Sequence, residues 1–158
     1  MRIFLLILIK VLVAVLLLVL AYGCFRTWKT SRRPEYKEFV SGTIPAAMPM
    51  GLYRGTAEEL GEVSWKGKKF LDDGKGINLF ERGGTAEENY EFTISEAKSL
   101  RGGHPVLRID YNQPGNPLWL RFIVDEIVSV GDNQFLGAVY ITVVPGFPFR
   151  MGYFRLTR

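Results

Sequence analysis

At 158 residues the chain has room for one domain and a short appendage. Its formal charge of +4 owes much to the N-terminal segment: without Arg2 and Lys10, 18 basic residues face 16 acidic ones, too even a balance to draw in nucleic acid. The single cysteine, Cys24, excludes an internal disulfide and any cysteine-built metal site, and the single histidine, His104, excludes two-histidine mechanisms.

Residues 3–25 read IFLLILIKVLVAVLLLVLAYGCF, interrupted only by Lys10. At 1.5 Å per residue the run reaches about 35 Å, enough to cross a hydrocarbon core of about 30 Å. Lys10 lies about two turns in, where its stem can snorkel to the nearer interface. We read residues 1–25 as a transmembrane anchor that partners the lipid bilayer through residues 3–25. Two rivals stand beside it. One is a signal peptide cut after Gly23, with Ala21 and Gly23 as its small residues; the other is a lipoprotein signal with Cys24 as the lipidated residue. Five basic residues follow the run, Arg26, Lys29, Arg32, Arg33 and Lys37. The positive-inside rule then leans toward a single-pass protein with its C-terminal domain in the cytoplasm.

Residues 26–50 read as a basic tether and linker, with Pro34 breaking the helix and Pro45 and Pro49 ahead of the first strand. From residue 51 to 158, short apolar stretches alternate with turn signals, the pattern of an antiparallel β-domain. Expected strands are 51–54, 63–65, 69–72, 77–81, 90–94, 106–111, 118–130, 135–143 and 150–157. Asp73-Gly74, Arg82-Gly83-Gly84, Arg101-Gly102-Gly103 and Pro145-Gly146 punctuate them. Short helical turns are expected at 57–60 and 95–100. Leu118, Leu120, Phe122 and Val124 read as the apolar face of one strand, with Trp119, Arg121, Ile123 and Asp125 opposite. Residues 135–143 are apolar at both parities, as in a strand covered on both sides. Antiparallel strands in this number close best into a barrel, which leaves no edge.

Three stretches resemble the GXWXG family and the uncharacterised domain that follows it in the same proteins. Gly51-Leu52-Tyr53-Arg54-Gly55 is similar to the naming motif with tyrosine for tryptophan, Trp65-Lys66-Gly67-Lys68-Lys69-Phe70 to its W-x-G-K-x-F segment, and residues 124–137 with 152–156 to the companion domain. The resemblance implies a calycin-like barrel, opening on an apolar cavity, and carries no reaction.

Catalytic and metal signatures fail on inspection, so no cofactor is expected. Gly61 and Gly67 are one residue too far apart for a phosphate loop, and Lys69 stands where Ser or Thr is needed. Lys66, Lys68, Lys69 and Lys75 read as a solvated basic hairpin, and His104 as an exposed loop residue. Asp125 and Glu126, adjacent on a strand, point to opposite faces and cannot act as a pair; Glu126 is expected buried against Arg108 or Arg121. The sequence thus points to a mainly β, calycin-like barrel behind a transmembrane helix. It would bind a small apolar or amphipathic ligand such as a lipid through Tyr53, Trp65, Tyr111, Trp119, Arg121, Glu126 and Tyr140. A filled barrel acting as a structural or protein-interaction module is the alternative, and an enzyme a third reading.

Overall fold

Glycine turns and prolines divide the chain beyond position 50 into strands, and the computed structural model, which describes residues 2–57 and 63–158, contains eight among those residues. They are β1 (Gly51–Thr56), β2 (Trp65–Phe70), β3 (Lys75–Arg82), β4 (Thr85–Lys98), β5 (Pro105–Asp110), β6 (Ile123–Gly131), β7 (Gln134–Ile141) and β8 (Phe149–Thr157). At the β3–β4 hairpin Gly83 and Gly84 take φ of 57° and 80°, a conformation glycine adopts without a Cβ clash. Each strand pairs antiparallel with its neighbour in sequence, and β8 returns to β1, closing an up-and-down barrel. The expected mainly β barrel behind an apolar helix is the observed fold.

Several boundaries differ. The strands expected at 63–65 and 69–72 merge into one, β2, which covers only Trp65–Phe70, because the polar run between them includes a lysine that points inward. The turn expected at 95–100 is the end of β4, held to residue 98 by pairing with β5; the turn expected at 57–60 falls largely outside the described residues. Residues 118–122 are not strand. Pro117 starts a turn that continues into a 3₁₀ turn at Leu120–Phe122, and β6 begins only at Ile123. The expected parity is also reversed: Ile127 packs in the barrel interior and Val128 on its outside, so the inward side of β6 holds Ile123, Asp125 and Ile127.

Two cores result. Tyr53, Phe70, Phe92, Ile109, Ile127 and Leu156 fill part of the interior. A second core lies on the outer surface of β5–β8, where Val106, Val128, Leu136, Ala138, Tyr140 and Tyr153 are covered by Phe39. Phe39 comes from α2 (Pro34–Ser41), an eight-residue helix with proline in its first turn, where the missing N–H is no loss. Coverage on both faces explains why β7 is apolar at both parities, as expected. His104 is correspondingly not a free loop residue. Its ring meets Phe39 edge-on at 5.3 Å, and burial lowers its pKa.

The apolar helix α1 (Arg2–Thr30) exposes its side chains from Ile3 to Val19 and packs only its C-terminal turns against β8. Gly23 makes the close approach possible, since a Cβ there would come within 2.5 Å of the Phe149 ring. The Arg150 N–H donates to Thr27 Oγ1 at 3.0 Å, and Tyr153 Oη donates to the Thr30 carbonyl at 3.4 Å. The stretch read as a tether is thus largely folded onto the barrel. Arg155 clamps Glu38 of α2 through bonds of 2.8 and 2.6 Å and holds its carboxyl below the usual range. A depressed carboxyl stabilises above its unfolded pKa and loses that contribution as pH falls through its folded value. Arg155→Gln should therefore lower stability by about 0.5–1 kcal/mol at neutral pH for this half-exposed pair. Chemical denaturation at pH 7 and pH 3 should show the difference between the proteins shrinking at the lower pH.

Candidate functional site

Strand direction fixes which end of the barrel is which. β8 starts at Phe149, beside Gly23, so the β3–β4, β5–β6 and β7–β8 connections all lie at the end from which α1 departs. A cavity of about 770 Å³ opens there. Its walls are Phe80, Tyr90, Leu120, Ile123, Val139 and Phe154, and its mouth is bordered by Tyr22 and Arg26 of α1 with Arg82, Trp119 and Met151. Below it the interior core closes the barrel.

The floor is polar. A bulge at Lys66 shifts the register of β2, so that Trp65 and Lys68 both line the cavity although three positions apart. Lys68 is 1% exposed. Its ammonium donates to Asn78 Oδ1 at 2.9 Å, to Asp125 Oδ2 at 3.0 Å and to Tyr111 Oη. Tyr111 in turn donates to Asp125 at 2.8 Å, and Trp65 Nε1 to Asn78 Oδ1 at 3.0 Å. Asn78 Nδ2 donates to the Tyr90 carbonyl at 3.2 Å, where a second bulge gives Tyr90 a φ of 64°. Rings of Trp65, Phe92, Tyr111 and Phe154 lie 5.0 to 5.5 Å from Lys68 Nζ, within cation–π range. Burial pulls the Lys68 ammonium below its ordinary pKa, while Asp125 opposes that pull. Burial and the Asp125 carboxylate together hold the Tyr111 phenol well above its usual value, so it stays a neutral donor. All three Lys68 protons have acceptors, which makes the floor an internally satisfied anchor rather than a free nucleophile.

Of the residues chosen from sequence, Trp65, Tyr111 and Trp119 line this cavity. Tyr53 is inside the barrel but deeper, edge-on to Phe70 and Phe135 at 5.5 and 5.4 Å. Arg121 ties down the β5–β6 loop through the carbonyls of Asn116 and Pro114 at 3.0 and 2.6 Å. Glu126 and Tyr140 belong to the outer face. Glu126 accepts from Ser99 Oγ and the Leu100 N–H, each at 2.7 Å, with Arg108 at 3.5 Å. Of the two arginines expected for it, the partner is Arg108.

Sequence reasoning missed Lys68, Asn78 and Asp125. The expected solvated basic hairpin fits Lys69 and Lys75, each paired at 2.8 Å with an exposed carboxylate, but not Lys68. The available signal was Ile123–Asp125–Ile127: a carboxylate on an isoleucine face requires a buried partner.

No family model matches this chain, and no curated protein matches it. A crystal structure of a protein from Thermomonospora curvata is similar to it with a TM-score of 0.51 and 24% identity, over 74% of this chain and 79% of that one. At that identity the likeness speaks for the fold alone.

Proposed function

We propose that this is a single-pass membrane protein whose barrel binds an amphipathic molecule, a lipid or lipid-derived acyl chain, taken from the adjacent bilayer. The observation that carries this is the position of the cavity: it opens at the end of the barrel from which the exposed apolar helix leaves. A volume of about 770 Å³ falls in the range of small-molecule pockets and argues against the filled barrel of an interaction module.

Other features support the reading. α1 is long and apolar enough to cross a membrane. Leu118, Trp119, Phe122, Val143 and Phe147 are exposed on the loops at the same end, and Trp119 and Phe147 are each 60% accessible. Such side chains suit a membrane interface better than water, as do Tyr22, Phe25 and Trp28 on the last turns of α1. A cut after Gly23 would sever the helix where it packs on Phe149. The basic residues from Arg26 to Lys37 favour a cytoplasmic barrel. The up-and-down strand order agrees with a calycin-like relationship.

The ligand's polar end belongs at the mouth. Arg26, which donates to the Met151 carbonyl, and Arg82, 3.9 Å from Glu87, place positive charge at the entrance, and an acyl chain would meet the aromatic and aliphatic walls. Native mass spectrometry of the full chain extracted in mild detergent tests this. A population carrying one lipid-sized adduct is the expected result, and a bare mass under every activation condition would overturn the reading.

A further inference from the structure

A polar groove lies on the outside of the barrel. Ser31 and Tyr36 at the α1–α2 junction, Arg101 and Gly102 of the β4–β5 loop, and Arg150 at the start of β8 line a groove of about 330 Å³. Arg150 is 1% exposed, and its guanidinium lies 4.6 Å over the Tyr36 ring. Its Nε donates to Thr30 Oγ1 at 3.2 Å and its Nη2 to Ser31 Oγ at 2.5 Å, both neutral acceptors. Arg101 donates to the Pro148 carbonyl at 3.2 Å, also neutral. Neither arginine forms an ion pair among the described residues.

An arginine cannot shed its proton, so burial leaves Arg150 a cation whose charge calls for an anion. Nearby carboxylates are engaged elsewhere. Glu126 is held by Ser99, Leu100 and Arg108, Glu35 is bonded to Arg33, and Glu38 is bound by Arg155. We propose that this groove binds a phosphate group, with Arg150 fixing it from beneath and Arg101 closing on it from solvent. Two arginines converging on one small polar groove match the planar, multidentate recognition of phosphate.

Two sources can supply the phosphate, a lipid headgroup or a free ion, and location bears on the choice. Ser31 lies about 9 Å along the helix beyond Phe25, the last apolar residue of the sequence run. If α1 spans a bilayer, as the reading above holds, the groove sits at headgroup depth.

Thermal unfolding of the full chain separates the sources. In neutral detergent at constant ionic strength, replacing chloride with inorganic phosphate should raise Tm if the free ion binds. In nanodiscs, phosphatidylglycerol should raise Tm over phosphatidylcholine if the headgroup binds. Either response supports the site, provided Arg101→Ala weakens it by about tenfold or more, the loss of one charge-assisted contact. Arg101 is exposed, so this variant should fold even where Arg150→Gln does not. No response to either anion, or responses unchanged in Arg101→Ala, would overturn the site. Neither outcome depends on whether the interior cavity holds a ligand.

Discussion

Asp125→Asn should destabilise the barrel by about 3–5 kcal/mol at neutral pH, the usual consequence of removing one partner from a buried ion pair. The substitution keeps the shape of the side chain but leaves the Lys68 ammonium, 3.0 Å away in the wild type, without its carboxylate. Burial already depresses the lysine, and Asp125 is the group that opposes the depression. The variant should therefore fold with a neutral amine. A lysine whose folded pKa is depressed carries a penalty below its unfolded value of about 10.4, and that penalty shrinks as pH rises toward it. Denaturant titrations between pH 6 and pH 9, below the range where unfolded tyrosines ionise, should show the gap between variant and wild type closing as pH increases. A gap independent of pH would mean that Lys68 keeps its proton without Asp125. The double variant Lys68→Met/Asp125→Leu should recover most of the loss, because an apolar pair of similar volume needs no counter-charge.

Ile123→Trp should abolish ligand retention while leaving the fold intact. Ile123 sits on the cavity wall at the start of β6, half-buried, and shares the lining with Val139 and Leu120. An indole there would occupy the space that an acyl chain needs, and the open mouth gives it room without forcing the interior core apart. Adducts in native mass spectra should fall at least about tenfold, with Tm of the ligand-free protein changed by a few degrees at most. Undiminished adducts would place the bound lipid on the outside of the protein, against α1 or the exposed loops.

The barrel was legible because its signals are local and repeated. Glycine pairs at 83–84 and 102–103 mark turns, and the two-sided apolar run of β7 announces a strand covered within and without. α2 escaped notice because eight residues are too few to display a helical period, although Phe39 anchors the outer core. The site was harder to read because it depends on parity, and parity is reset by features that leave little trace in sequence. The bulge at Lys66 turns Trp65 and Lys68 to the same side, and the one at Tyr90 brings another ring inward. Starting β6 at 118 instead of 123 was enough to assign the apolar face to Leu118 and Phe122, which are exposed. Trp65, Tyr111 and Trp119 were found by chemistry alone, since large amphipathic rings line cavities and cores alike. Glu126 and Tyr140 were misplaced because a buried polar residue on a closed sheet has two insides to choose from: the barrel interior and the layer beneath α2.

Whether an acyl chain enters the barrel from the bilayer can be read directly from Trp65, whose indole lies at the cavity floor bonded to Asn78. A variant retaining only this tryptophan, with Trp28→Phe and Trp119→Phe, would be placed in nanodiscs whose lipids carry bromine on their acyl chains. The account predicts strong quenching by the brominated chains and little by aqueous iodide. Fluorescence indifferent to brominated lipid, with the barrel folded and the helix inserted, would contradict it.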